Sequence, residues 1–313
     1  MIPAPTLTAA ICSYSLSRWD DLVLAVESLG QQSRIPDELL IIVDHNDELL
    51  ARARERFADA RVLPNEEQRG LSGARNTAVN AATGEVIAFL DDDAAANRDW
   101  AQELLLGYSS PEVLGVGGSS IPRWDGNRPS WFPQEFDWVV GCSYRGMPEV
   151  DSAVRNLIGS NMSFRTDLLR QLGGFRSDLG RVGTRPSGCE ETELCIRALL
   201  DRPDGRLIYR PAASVNHHVP RARATRRYFG ARCFAEGRSK ALVRRHVGAG
   251  MALKTERAYA LRVLPRAMLT AVRAAAVNRS VAGIERATAI LLGFCLTSAG
   301  YVMGTLLSAA TAD

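Results

Sequence analysis

Three short apolar runs in the first hundred residues, "TLTAAICSY", "DELLIIVD" and "EVIAFLDDD", constrain this chain most. Each is long enough for one buried strand and ends abruptly on polar or acidic residues. Between them lie segments of helical spacing: "DDLVLAVESLGQQ" with Leu22, Val26 and Leu29, then "ELLARARERF", then "LSGARNTAVNAATG" stopped by Gly84. A short strand is expected at "ARVLPNE". Strands alternating with helices predict an α/β fold, with a Rossmann-like, mostly parallel central sheet covered by helices on both faces. In such sheets ligands bind beyond the carboxyl ends of the strands. Ser13, Tyr14, Asp44 and the triplet Asp91, Asp92 and Asp93 all fall there.

The triplet raises an energetic question. Adjacent carboxylates repel one another, so a positive partner must offset the cost. The candidates are a metal ion, a basic loop or solvent; taken alone, the triplet reads as a solvated acidic loop capping the helix near Trp100.

Further along, residues 118–150 hold three of the five tryptophans and four prolines, an apolar and irregular excursion unlike a linker. Trp124, Trp131 and Trp138 are expected mainly to close a small core there, with room for a sugar-stacking role. "IGSNMSF" reads as a strand, "TDLLRQLGGF" as a helix capped by Gly173, and "CEETELCIRALLD" as another helix. "GRLIYRPAASVNHHVP" reads as two short strands around Pro211.

Taken in order, "ICSYSLSRWDDLVLAVESLGQQ", "LLIIVD", "RGLSGARNTAVNAATGEVIAFLDDDA", "GSNMSFRTDLLRQLGGF", "CEETELCIR" and "ASVNHHVP" resemble the motifs of family 2 glycosyltransferases. The resemblance spans roughly residues 6–220. It implies a glycosyltransferase A-type fold, a nucleotide-sugar donor (a UDP-sugar is the expectation), a divalent cation and inversion at the anomeric carbon. By the family's D-x-D motif, Asp91 reaches toward the nucleoside and Asp93 binds Mg²⁺ or Mn²⁺, with Asp92 able to share the work. Hard cations prefer such carboxylates. Asp44, Ser13 and Tyr14 are nucleoside-binding candidates, although "DHNDEL" departs from the Gly and Ser common after that aspartate. Arg69 and Gly70 are nucleotide-binding candidates in the "RGLSGARN" segment, where Arg75 serves equally as an ion-pair partner. Glu191 takes the position of the family's general base, with Glu190 as the alternative and as a favourable charge at a helix start. Of the adjacent histidines only one can face inward, and His217 is chosen as an added metal ligand over His218.

The rest of the chain differs in charge. Arg221 to Arg286 holds 16 Lys and Arg against 3 Asp and Glu, a local +13, while the remainder is −10. No nucleic-acid motif accompanies it, so a nucleic-acid partner is not expected. Pro265 is placed in the first turn of a helix, putting Arg266 and Arg273 on one face and Met268 and Val272 on another. Residues 287–311 carry no charge and are long enough to span a bilayer, and Gly300 and Gly304 have the spacing of close helix packing. The expected division is a catalytic domain over 1–220 and a membrane-associated helical tail over 221–313, spanning or lying on the surface. Scattered cysteines and an N-terminus without signal-peptide character point to the cytoplasm, at the inner face of the cell membrane. The acceptor expected is a glycan or a lipid-linked saccharide. A sugar-nucleotide nucleotidyltransferase would want a Gly-rich basic loop after the first strand, which "SYSLSRWDD" does not provide. A non-catalytic glycan- or nucleotide-binding relative is the other alternative.

Overall fold

The structure, a computed structural model, describes residues 4–183, 188–248, 254–279 and 281–310. It divides into two compact units. The first comprises Met1–Ile121, Pro148–Arg185 and Glu190–His218, the second Pro122–Met147, Pro186–Cys189 and Val219–Asp313.

In the first unit, β1 (Leu7–Ser13), β2 (Glu38–Val43), β3 (Arg61–Pro64) and β4 (Val86–Asp91) pair in parallel in the order β3-β2-β1-β4. Their near-continuous apolar character follows from burial on both faces. Alternate residues feed two cores: Leu7, Ala9 and Ile11 with Val86, Ala88 and Leu90 on one side, Ala10 with Ile87 and Phe89 on the other. The helices α1 (Trp19–Gly30), α2 (Asp47–Arg56) and α4 (Trp100–Gly107) cover the first face. The second is covered by α3 (Leu71–Ala81), α5 (Thr166–Gln171) and α6 (Glu190–Asp201).

Beyond β4 the sheet is mixed. The strand β9 (Asn161–Arg165) runs antiparallel between β4 and β6 (Val113–Gly117); β10 (Arg206–Tyr209) is parallel to β6, and β8 (Ser152–Val154) closes the edge antiparallel. The antiparallel insertion escapes sequence reading because β9 pairs with strands far from it in sequence, and its own residues, Asn161 to Arg165, do not name those partners. A separate short strand β5 (Ala94–Ala96) pairs antiparallel with β11 (Val215–Val219), with His217 opposite Ala94.

The second unit contains the last three residues of β7 (Ser120–Trp124), a 3-10 helix at Gln134–Val140 and, among the described residues, three long helices, α7 (Arg226–Val247), α8 (Lys254–Asn278) and α9 (Val281–Ala310). Its core gathers Phe132, Phe136, Val139, Phe229, Leu264 and Ile290, with Trp124, Trp131 and Trp138 packed against it. The three tryptophans thus help close a core, and Phe132 and Phe229 meet edge-on at 5.3 Å. Pro265 departs from expectation: it sits in the interior of α8, not its first turn. The turns before it stay helical because Tyr259 and Leu264 pack on that core and the Tyr259 hydroxyl donates to the Glu135 carbonyl at 2.7 Å. This tertiary anchoring outweighs the one helical hydrogen bond a proline removes.

Candidate active site

The register of the parallel strands sets the site. Cys12 lies opposite both Ile42 and Asp91, so β1, β2 and β4 end at one level. Ser13, Asp44 and the aspartate triplet emerge there together.

Asp44, just past β2, is buried and fully engaged. It accepts from Asn65 Nδ2 at 2.7 Å, from the Gly70 amide at 3.0 Å and from His45 Nδ1 at 2.9 Å. Gly70 adopts φ +128°, a conformation open to glycine and strained for other residues, and this aims its N–H at the carboxylate. Asp44 therefore anchors the loop that leads into α3. Arg69 is exposed, and its guanidinium reaches the His45 carbonyl at 3.4 Å. Tyr14 is half-buried beneath the Arg18 guanidinium, 5.4 Å from the ring centre.

Alternation sorts the triplet. Asp92 turns to the β1 side, where Ser13 Oγ donates to it at 2.7 Å and Arg18 Nη1 at 2.6 Å. Burial pushes its carboxyl up to about 6, against the opposing pull of Arg18. Burial disfavours charge on Arg18 too, but Asp92 and Asp93 outweigh it and hold the guanidinium above its ordinary value. Asp91 and Asp93 share the other side with His217, whose Nε2 lies 3.1 Å from Asp93 Oδ1 and 3.9 Å from Asp91 Oδ2. Pairing of β11 with β5 brings His217 there, and the His218 amide bonds the Asp93 carbonyl at 2.7 Å. His218 faces the opposite way, onto Asp21 at 2.8 Å.

One ligand atom each from Asp91, Asp93 and His217 falls within 4.8 Å of the others. Two carboxylates and an imidazole suit a divalent ion such as Mn²⁺, and three protein ligands leave coordination positions for a substrate. Asp93 and His217 are buried, whereas Asp91 is 30% exposed, so the cluster opens on that side.

Arg75 joins this cluster to α6. Only 2% exposed, it donates to Glu190 Oε1 at 2.8 Å, to the Gly159 carbonyl at 2.8 Å and toward Asp91 at 3.4 Å. Burial opposes its charge, yet Glu190 and Asp91 raise its pKa further. Glu190 is thus a buried ion-pair partner rather than a solvated helix-start charge. Glu191, one residue on, is half-buried and accepts from Thr192 Oγ1 at 2.9 Å. A Cβ on Gly159 would stand 3.7 Å from Glu191 Cγ and 3.5 Å from Arg75, so the two neighbour the same turn of backbone.

The offset for three adjacent carboxylates is therefore protein-made in part: Arg18 on Asp92 and Asp93, Arg75 on Asp91. Arg18 was not among the residues singled out from the sequence. Its signal was present, since it follows a strand end that already carried Ser13 and Tyr14.

A central sheet ending in an Asp-x-Asp pair beside a histidine and a helix-borne carboxylate pair defines a glycosyltransferase of the A-type fold. The mannosyltransferase PcManGT from Pyrobaculum calidifontis, solved with GDP-Man and Mn²⁺, shares that fold over 98% of this chain and 87% of its own, with a TM-score of 0.60 at 21% identity. The sequence model described as "Glycosyl transferase family 2" matches residues 8–173. The chain belongs to glycosyltransferase family 2. It is 33% identical over 304 residues, 96% of each chain, to the glucosyl-dolichyl phosphate glucuronosyltransferase of Haloferax volcanii. A pre-mycofactocin glycosyltransferase of Mycobacterium tuberculosis is 30% identical over 160 residues, 51% of this chain and 32% of that one.

Proposed function

We propose that the protein transfers a sugar, with inversion, from a nucleotide-diphosphate sugar to a hydroxyl of a saccharide carried on an isoprenoid phosphate. The observation that carries this reading is the meeting of Asp91, Asp93 and His217 at the strand ends, joined through Arg75 to the start of α6 where Glu191 stands. That site supports a nucleotide-diphosphate sugar as donor, with a UDP-sugar as the first choice. The end-to-end similarity to an enzyme named for a dolichyl-phosphate-linked glucose supports the acceptor class.

Asp91, Asp93 and His217 would hold Mn²⁺ or Mg²⁺, and the bound ion supplies charge neutralisation on the departing diphosphate. Ser13, Tyr14, Asp44, Arg69, Gly70 and Asp92 border the nucleoside, the backbone of that border being set by the Asp44 anchor. Glu191 accepts the acceptor's hydroxyl proton as that oxygen bonds to the anomeric carbon. The bond from the anomeric carbon to the diphosphate breaks on the opposite face, and its electron pair leaves with the nucleotide. One base on the attacking face suffices for a single displacement. Arg75 is a positioning residue: by bridging Glu190 and Asp91 it ties the base-bearing helix to the strand end that bears the metal ligands.

An isoprenoid phosphate acceptor places the work at a membrane surface. The exposed arginines preceding the apolar α9 suit an anionic membrane surface, and the supply of nucleotide sugars favours its cytoplasmic side. Binding of a panel of UDP-, GDP- and TDP-sugars, each with and without Mn²⁺, tests the reading. Mn²⁺-dependent binding of one class supports it; binding of none in either condition overturns it.

A further inference from the structure

The helix α9 is long and apolar enough to cross a membrane over Val281–Leu307, and 22% of its most apolar window is buried inside the protein. Its outward side exposes Leu291, Leu292, Phe294, Val302, Met303 and Leu306. At 100° per residue these fall on one broad face, and no residue from 287 to 310 carries a charge. The opposite face is already taken. Gly293, Gly300 and Gly304 are buried, and a Cβ on Gly300 would lie 2.0 Å from the Phe234 carbonyl oxygen of α7. One on Gly237 would lie 2.0 Å from the Thr297 carbonyl oxygen, and Gly304 meets Arg238 and Ala241. So α7 and α9 run side by side, backbone close to backbone, through the middle of the apolar segment.

That partner decides how α9 can meet lipid. Along α7, Arg227, Arg238 and Arg245 are exposed, and Glu236 pairs with Arg232 and Lys240 halfway along. Were α9 to span, Arg238 and the Glu236 cluster would be carried into hydrocarbon beside its midpoint, where charge is strongly disfavoured. A helix lying in the interfacial plane buries only its outward face and leaves the charges at headgroup level. The charge balance of +13 between Arg221 and Arg286, including exposed Arg262, Arg266 and Arg273 on α8, complements anionic headgroups.

We infer that the outward face of α9 docks on an anionic lipid surface and lies in its plane, without crossing it. This deepens the lipid-linked acceptor reading, and its test is kept independent of transfer. Full-length protein, without donor or acceptor, is floated with phosphatidylcholine vesicles with and without phosphatidylglycerol. The protein should float with the anionic vesicles, dissociate progressively with salt and come off completely in alkaline carbonate. The triple variant Leu291→Glu, Val302→Glu, Leu306→Glu, all exposed positions, should lose at least about tenfold in partitioning while melting as the parent does. Should that variant misfold, a spin label on Cys295, exposed on the same face, should report a shallow depth in bound vesicles. Retention through carbonate overturns the in-plane arrangement. Undiminished binding of a folded triple variant, or a water-exposed label in the vesicle-bound state, overturns the assignment of the face. Self-association without lipid that the triple variant abolishes would give the face to a second copy and also overturns it. Asp93→Asn should float as the parent does, so a protein that docks yet binds no nucleotide sugar would refute the functional reading and leave the docking intact.

Discussion

Two adjacent glutamates at the start of α6 should fail in opposite ways. Glu190 is 4% exposed and bonds the buried Arg75 at 2.8 Å. Glu190→Gln keeps a carbonyl oxygen for that bond but removes the charge. Breaking a buried ion pair by removing one partner costs about 3–5 kcal/mol. Here Arg75 keeps the Gly159 carbonyl at 2.8 Å and Asp91 at 3.4 Å, so a loss near about 2 kcal/mol is expected, the range of a charged hydrogen bond. For a chain of this size that lowers the melting temperature by roughly 4–8 °C. Transfer should fall only modestly at temperatures where the variant is folded. Glu191→Gln, at a half-buried position, should leave the melting temperature nearly unchanged while transfer drops about 10²–10⁴-fold, the contribution of a general base. Thermal unfolding followed by initial-rate kinetics with saturating donor separates the two effects. A Glu190→Gln enzyme that melts normally but is dead, beside an active Glu191→Gln enzyme, would refute the assignment and move the base by one residue.

Other outcomes follow from the same structure. Burial pushes the Asp137 carboxyl up to about 6 despite its ion pair with Arg128. A carboxyl raised on folding favours the folded state below its unfolded pKa, and that advantage is lost as pH rises through the folded value. Between about pH 4 and pH 7 the parent should therefore lose about 2 kcal/mol of stability relative to Asp137→Asn. Denaturant titrations of both proteins at the two pH values check the sign, and a flat difference contradicts it. Gly237→Val must push α7 off α9, since even a Cβ there would lie 2.0 Å from a carbonyl oxygen; destabilisation at or above about 1–3 kcal/mol is expected by chemical denaturation. A variant as stable as the parent would show that the two helices do not pack so closely.

The strands were legible where apolar runs ended in polar residues, and so was the level at which Ser13, Asp44 and the triplet meet. Strand alternation lets only one of His217 and His218 face inward without saying which, and the structure turns the two rings to Asp93 and to Asp21 respectively. What the sequence does not display is pairing across long separations. That Arg75 would meet Glu190, 115 residues away, depends on β9 entering between β4 and β6, an order that periodicity does not encode. The anchoring of Asp44 is hidden in the same way, because its partners Asn65 and Gly70 lie on a later loop. Pro265 misled for a related reason: a local helix signal was overridden by Tyr259 and Leu264 packing on a core whose other members lie far away in sequence.

In the proposed reaction, sugar transfer depends on a cation held by Asp91, Asp93 and His217. Electron paramagnetic resonance of Mn²⁺ titrated into the protein with UDP present measures this directly. Bound Mn²⁺ is expected in the parent, weaker binding in His217→Ala and none in Asp93→Asn, with transfer lost in parallel and the fold retained. Parent-like Mn²⁺ binding and full transfer by Asp93→Asn, or undiminished transfer by the parent in excess chelator, would contradict that dependence.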